Sequence, residues 1–279
     1  MAASKPRISF EFFPPKTEAG VDKLLNEVIP ALYALGPEFF SVTYGAGGST
    51  RDATLGVVSA INERGIPVAP HLSFGGDDEN AVGELIDIYR ERGIGRIVAL
   101  RGDRPSGTGG ATHLVYAREL VEFIRRRTGD HFHIEVAAYP EIHPDARDYD
   151  SDVSFLKAKL DAGADSAITQ YFFNVESYFY FLDQCTAAGI DKPIYPGIMP
   201  ITNFANLQRF SKNCGAEIPR WICRRIEAFG EDQDSISGFG VEVVSQLCQT
   251  LLENGAPGIH FYTMNQVEPT REIHNNLGL

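Results

Sequence analysis

Little in this sequence could build a covalent or metal framework. Only four cysteines occur in 279 residues, Cys185, Cys214, Cys223 and Cys248, and no two have the C-x-x-C spacing of a redox or zinc motif. Reduced thiols in a cytoplasmic protein are the plainer expectation than a disulfide or cysteine-rich metal scaffold. Also missing is any run of roughly 18 consecutive apolar residues, the length a membrane span requires. The opening "MAASKPR" has no apolar stretch of the secretory type. Positive charge is scarce: 25 Lys and Arg stand against 37 Asp and Glu, a net charge of −12 with a pI near 5.0. A surface of that sign repels nucleic acid and anionic membranes. The one basic run, Arg125–Arg127, follows an apolar helical pattern and reads as a solvated helix end, with cations where the dipole favours them.

Core-forming residues, by contrast, are plentiful. The chain is 43% hydrophobic and 11% aromatic, and its length suits one large α/β domain spanning 1–279. Short apolar or β-branched runs recur at 7–13, 39–46, 67–73, 96–102, 133–140, 166–172, 193–200 and 258–264. Helical patterns separate them, as in 21–35, where Val21, Leu24, Leu25, Val28, Leu32 and Leu35 share one face and Pro30 predicts a local kink. Others cover 81–92, 114–127, 153–162 and 243–252, with glycines such as Gly93, Gly163 and Gly189 where helices should stop.

Residues at the ends of successive runs (Glu11, Thr43, His71, Asp103, Tyr139, Gln170) lie 28 to 36 residues apart. That is the length of a βαβ unit, about 30 residues. Eight near-continuous apolar strands with intervening helices predict a parallel (β/α)8 TIM barrel. Its seventh unit is long, from Pro200 to Gly258, and should carry an extra helix. A doubly wound sheet would need G-x-G-x-x-G after a strand, and Gly45, Gly47 and Gly48 in "TYGAGGST" do not fit that spacing.

In a barrel the C-terminal strand ends converge on one mouth, where chemistry resides. Glu11 sits among aromatics in "FEFFPPK". Partial desolvation by Phe rings would raise its pKa, as a general acid near neutral pH requires; an ordinary ion pair with an arginine is the competing reading. Asp103 in "LRGDRP" could simply cap a turn, and its Arg-Gly-Asp tripeptide is taken as chance. Gln170 in "ITQYFF" is an amide in an apolar strand, which a ligand at the mouth could satisfy. His71 and His143 lack metal-ligand spacing, and no metal site is expected. Tyr44, Tyr139, Phe172 and Tyr262 would suit a planar ligand or merely pack. Asp152 and Lys159, seven apart on a helix, share a face, as a solvated pair or as a hold on a cofactor's polar end.

Taken together, "FEFFPPK", "SVTYGAGGSTRD", "LRGD", "AAYPEIHP", "DAGAD" with "ITQYFF", "PGIMPI" and "HFYTMN" resemble the 5,10-methylenetetrahydrofolate reductase family. The motifs occur in the family's order over residues 7–265. The resemblance implies the single-domain bacterial form, a TIM barrel holding FAD at its mouth. It implies ping-pong reduction of 5,10-methylenetetrahydrofolate to 5-methyltetrahydrofolate with NADH or NADPH as donor, feeding methionine synthesis. It also implies a homo-oligomer whose partners are small molecules.

By the same resemblance, Glu11 is the general acid and Asp103 the aspartate beside pterin and flavin. Gln170, Asn206, Phe210 and Gln266 fall at substrate-binding positions. For FAD the matching positions are Thr43, Tyr44, Ala46, His71, Arg101, Gly102, Asp103, Tyr116, Ala117, Ala137, Tyr139, His143, Ala146, Asp152 and Lys159. Departures exist too. Phe155 and Ala158 stand where some members carry polar or basic residues, Asn206 replaces a glutamine, and Gln266 stands where arginine is frequent. Two alternatives stay open: a flavin-independent folate reductase, and a non-catalytic flavin- or folate-binding subunit of a larger redox complex.

Overall fold

The computed structural model describes residues 5–44, 51–74, 79–101 and 116–279. Among the described residues nine strands form one sheet: β1 (Arg7–Phe12), β2 (Phe39–Val42), β3 (Val68–Leu72), β4 (Arg96–Ala99), β5 (His133–Ala138), β6 (Ser166–Thr169), β7 (Ile194–Tyr195), β8 (Gly197–Ile198) and β9 (Gly258–Tyr262). Their order is β7-β6-β5-β4-β3-β2-β1-β9-β8, and every neighbouring pair is parallel.

The ninth strand arises because the seventh expected strand is cut in two by Pro196, which cannot donate to a ladder. Its first half pairs with β6 (Ala167 with Ile194) and its second with β9 (Gly197 with His260). The Pro196 carbonyl still accepts from the His260 amide at 3.0 Å. One interrupted strand thus joins both ends of the sheet and closes the barrel, as the sequence predicts. Closure needs glycine at 197: a Cβ there would collide with the Thr169 carbonyl and lie 2.6 Å from the Tyr262 hydroxyl.

Helices fill the connections. The first begins as α1 (Glu18–Lys23), widens into a π-helical turn (Leu24–Val28) and resumes as α2 (Ile29–Tyr33). The widening is the expected disturbance at Pro30, which has no N–H for the preceding turn; the Leu25 carbonyl is taken by the Arg64 guanidinium instead. Then come α3 (Arg51–Asn62), α4 (Glu79–Glu91), α5 (Ala117–Thr128), α6 (Tyr149–Asp161) and α7 (Val175–Ala187). The long seventh unit carries α8 (Phe204–Cys214) and α9 (Arg220–Phe229) before α10 (Gln233–Glu253), and α11 (Thr270–Asn276) follows β9. No described helix is long and apolar enough to cross a membrane.

The basic run at the end of α5 is more than a solvated terminus. Arg125 donates to the Gly163 and Phe132 carbonyls and to Asp165 at 2.7–2.9 Å, tying α5 to the next two units. Arg127 pairs with Asp87 of α4.

Alternation along each strand sorts side chains into two cores. Phe10, Phe12, Phe40 and Phe261 face outward into the large core under the helices. Phe39, Ala69, Val98 and Ile168 fill the barrel interior. At its N-terminal end lies the wholly buried Glu135, with Arg7 Nη2 at 3.0 Å and Arg96 Nη1 at 2.6 Å. Both guanidinium groups also stack on Phe39.

Candidate active site

Glu11 lies near the C-terminal end of β1, where alternation turns it inward and turns Phe10 and Phe12 away. Those rings pack on Phe40 and Phe261 at 5.1–6.0 Å and do not enclose the carboxyl. Its neighbours are histidines. His71 Nε2 of β3 is 3.1 Å from Oε2 and His260 Nε2 of β9 is 3.4 Å from it. The expectation of a raised pKa is therefore corrected. Burial does push the carboxyl up, but the charge of His71 and the ring N–H groups of both histidines outweigh it, holding Glu11 at about 2.

The cluster is anchored from behind. His260 Nδ1 meets the Ser9 hydroxyl at 2.7 Å, which holds the ring with Nε2 facing Glu11. Thr263 donates to the Glu11 carbonyl at 2.6 Å. Asn265 holds both backbone groups of Phe13, accepting at 3.0 Å and donating at 2.8 Å. Across the interior, the Tyr262 hydroxyl donates to the Thr169 carbonyl at 2.6 Å, beside Gln170. Sequence reasoning missed His260, although its place two residues before Tyr262 in a strand put it on the inward face.

Gln170 directly follows β6, partly buried; its amide N–H donates to Ala138 at 2.8 Å and its Oε1 accepts from Tyr171 at 3.0 Å. Phe210, on α8, is half-buried with the Arg209 guanidinium 5.1 Å from its ring. Asn206, in the first turn of α8, and Gln266, after β9, are exposed.

Beside these strand ends opens a cavity of about 840 Å³, a volume typical of small-molecule sites. Its inner wall is apolar, with Leu72 and Ala99 buried. Tyr44, Arg101, Tyr116, Ala117, Ala137, Tyr139, His143, Ala146, Asp152 and Lys159 line it, as do Phe155 and Ala158. Thr43 and His71 do not line it: the Thr43 backbone amide donates to Phe12 and its carbonyl accepts from Thr54, and His71 faces Glu11. Ala46, Gly102 and Asp103 lie outside the described residues.

Asp152 and Lys159 share one face of α6, and that face is a cavity wall. Asp152 accepts from the His143 amide at 2.9 Å. The Lys159 ammonium donates to the Ala137 carbonyl, and burial, only partly offset by the Asp152 charge, brings it down to about 8. Burial raises Asp152, against the His143 amide and Lys159. His143 is lowered by burial and by the charge of Arg101, and its ring meets Tyr139 edge-on at 4.5 Å. Cations and the first turn of α5 beside aromatic rings make a donor set for a ligand with both phosphate and planar parts.

Comparison with known proteins agrees with this architecture. The family model for methylenetetrahydrofolate reductase matches residues 1–278. The chain belongs to the methylenetetrahydrofolate reductase family. It is 41% identical over 273 residues to the 5,10-methylenetetrahydrofolate reductase of Pectobacterium carotovorum subsp. carotovorum, covering 98% of this chain and 90% of that one. To the Arabidopsis thaliana methylenetetrahydrofolate reductase (NADH) 1 it is 36% identical over 285 residues, 97% of this chain but 48% of the plant protein. Among solved structures, a Clostridium thermocellum protein that binds two copies of 5-methyl-5,6,7,8-tetrahydrofolic acid superposes with a TM-score of 0.70 over 99% of this chain and 94% of its own. At 19% identity that likeness speaks for the barrel fold. The family and fold that the motif series implies are thus the ones found.

Proposed function

We propose that this chain, an oxidoreductase of the methylenetetrahydrofolate reductase family, reduces 5,10-methylenetetrahydrofolate to 5-methyltetrahydrofolate with NAD(P)H as donor and FAD as resident cofactor. The observation that carries the reading is one juxtaposition. A cavity lined by cations and aromatic rings adjoins strand ends bearing a carboxylate between two histidines. FAD bound there would relay hydride from the nicotinamide to the folate, the two substrates using one site in turn.

Arg101, Lys159, His143 and Asp152 would hold the cofactor's polar span, and Tyr44, Tyr116 and Tyr139 its planar parts. Gln170, Phe210, Asn206 and Gln266, on the strand-end loops and α8, are assigned to the pterin and folate tail. Glu11 delivers the proton that opens the folate ring, with His71 and His260 as its reservoir, and Asp103 keeps its role beside the flavin by motif alone. NADH is the favoured donor, as in the name of the plant relative. A reducing cytoplasm fits four cysteines that are all free thiols, and a homo-oligomer is proposed on the family resemblance alone.

Anaerobic half-reactions test the proposal. Purified protein should be yellow, be bleached by NADH without a partner protein, and be recoloured by methylenetetrahydrofolate. A colourless protein whose turnover is indifferent to added FAD favours a flavin-independent reductase, and one with no turnover at all refutes catalysis by this chain alone.

A further inference from the structure

On the cavity wall Phe155 departs from the polar or basic residues that some family members carry at its position. Phe155 lines the cavity yet is 56% exposed, and Tyr116 lines it at 54%. The two belong to adjacent helices: Tyr116 caps α5, and Phe155 sits in the second turn of α6. They mark the solvent rim of a pocket whose inner wall, at Leu72 and Ala99, is buried. Along α6, Asp152, Phe155 and Lys159 follow at i, i+3 and i+7, so the ring stands on the same face as the two polar groups and between them in sequence. Ala158 and Ala146, also on the lining, add little bulk beside it.

A large apolar ring exposed at the rim of a cavity is unfavourable in water and gains most from a flat ligand face laid on it. Resting on the FAD reading above, we infer that Phe155 is the platform for the adenine of FAD, so that stacking holds the nucleotide end of the cofactor in place of polar contacts. The flavin end lies inward, against the strand ends that carry Glu11 and Gln170. Recognition at the rim is therefore by ring face and not by hydrogen bonds to base edges. Phe155 is a specificity residue for dinucleotide over mononucleotide flavin.

The test is equilibrium binding, independent of turnover. Flavin-free protein is titrated with FAD and with FMN, following the quenching of flavin fluorescence. Loss of one base–aromatic stack corresponds to about a 5- to 150-fold change in Kd. Phe155→Ala should weaken FAD by that factor and move FMN less than about twofold, and Phe155→Trp should restore FAD binding. An FAD Kd unchanged in the alanine variant overturns the inference, as does equal weakening of FMN. If wild-type protein binds neither flavin, the FAD reading itself falls and takes this inference with it. If it binds FMN as tightly as FAD, only the adenine platform is lost.

Discussion

At a pKa of about 2 the Glu11 carboxyl is a poor proton store. At pH 7 it is protonated in about one molecule in 10⁵, and placing a proton there costs ~7 kcal/mol at ~1.4 kcal/mol per unit. General acid catalysis typically supplies about 10²–10⁴-fold, which is ~2.7–5.5 kcal/mol. A lone Glu11 proton would therefore cost more than it returns. A proton reaching the folate through Glu11 therefore depends on the groups that contact the carboxyl, and Glu11 and His260 should act as a unit. Converting His260 to Asn keeps a polar group near Ser9 and deletes the Nε2 that stands 3.4 Å from Glu11. In stopped-flow experiments, reoxidation by methylenetetrahydrofolate should slow at least about tenfold in His260→Asn and about 10²–10⁴-fold in Glu11→Gln. The double variant should be no slower than Glu11→Gln, because groups that act together are not additive. Reduction by NADH should stay within about twofold in all three. Multiplicative losses in the double variant, or a His260→Asn enzyme of normal folate reactivity, would show that the histidine takes no part.

Three further outcomes follow from the geometry. Burial works against the Glu135 charge, but His133, Arg7, Arg96 and Ser166 hold the folded pKa at about 2 against 4.5. That depression stabilises by roughly 3 kcal/mol, fully present above pH ~4.5 and lost as pH falls towards 2. Denaturant curves of Glu135→Gln should thus converge on wild type as pH falls from about 4.5 to 2, and a constant gap would contradict the assignment. Gly197→Ala should destabilise by ~3 kcal/mol or more, because a Cβ meets the Thr169 carbonyl and Tyr262 hydroxyl at barrel closure; an unshifted Tm would show that closure tolerates it. With Lys159 at about 8, raising the pH from 7 to 9 removes its charge and should weaken FAD binding; in Lys159→Met that pH dependence should vanish, and its survival would point to another group.

Much of the fold was legible because parallel strands buried on both faces are near-continuous apolar runs, and each was followed by a helix of the right length. The break at Pro196 was harder to see, since proline inside an apolar run looks like a strand edge until both halves find different partners. The start of α10 was obscured by glycines: Gly238 and Gly240 weaken the helical pattern, although Gly240 is required where a Cβ would strike the Ile201 carbonyl. In the site, residues quoted as motif members converge on one cavity, but the environment of Glu11 was misread. Neighbours in sequence are not neighbours in space on a strand: Phe10 and Phe12 lie on the opposite face, and the residues that set the carboxyl's charge come from β3 and β9, 60 and 249 positions away. Only the pairing register brings them in.

Among the described residues two carboxylates face into the barrel, Glu135 at the closed end and Glu11 at the mouth, both at about 2. Equal pKa values do not make equal roles. Two of the partners of Glu135 are arginines, which do not give up a proton in any accessible pH range, so it is a fixed counter-charge that fastens β1, β4 and β5 together. The partners of Glu11 are both imidazoles, side chains whose ring nitrogens can donate or accept a proton. The same depression that makes the first carboxylate a staple leaves the second coupled to side chains through which a proton can pass to the folate. What separates structure from chemistry inside this barrel is therefore the acidity of the counter-charge, and the carboxylate's own pKa does not reveal it.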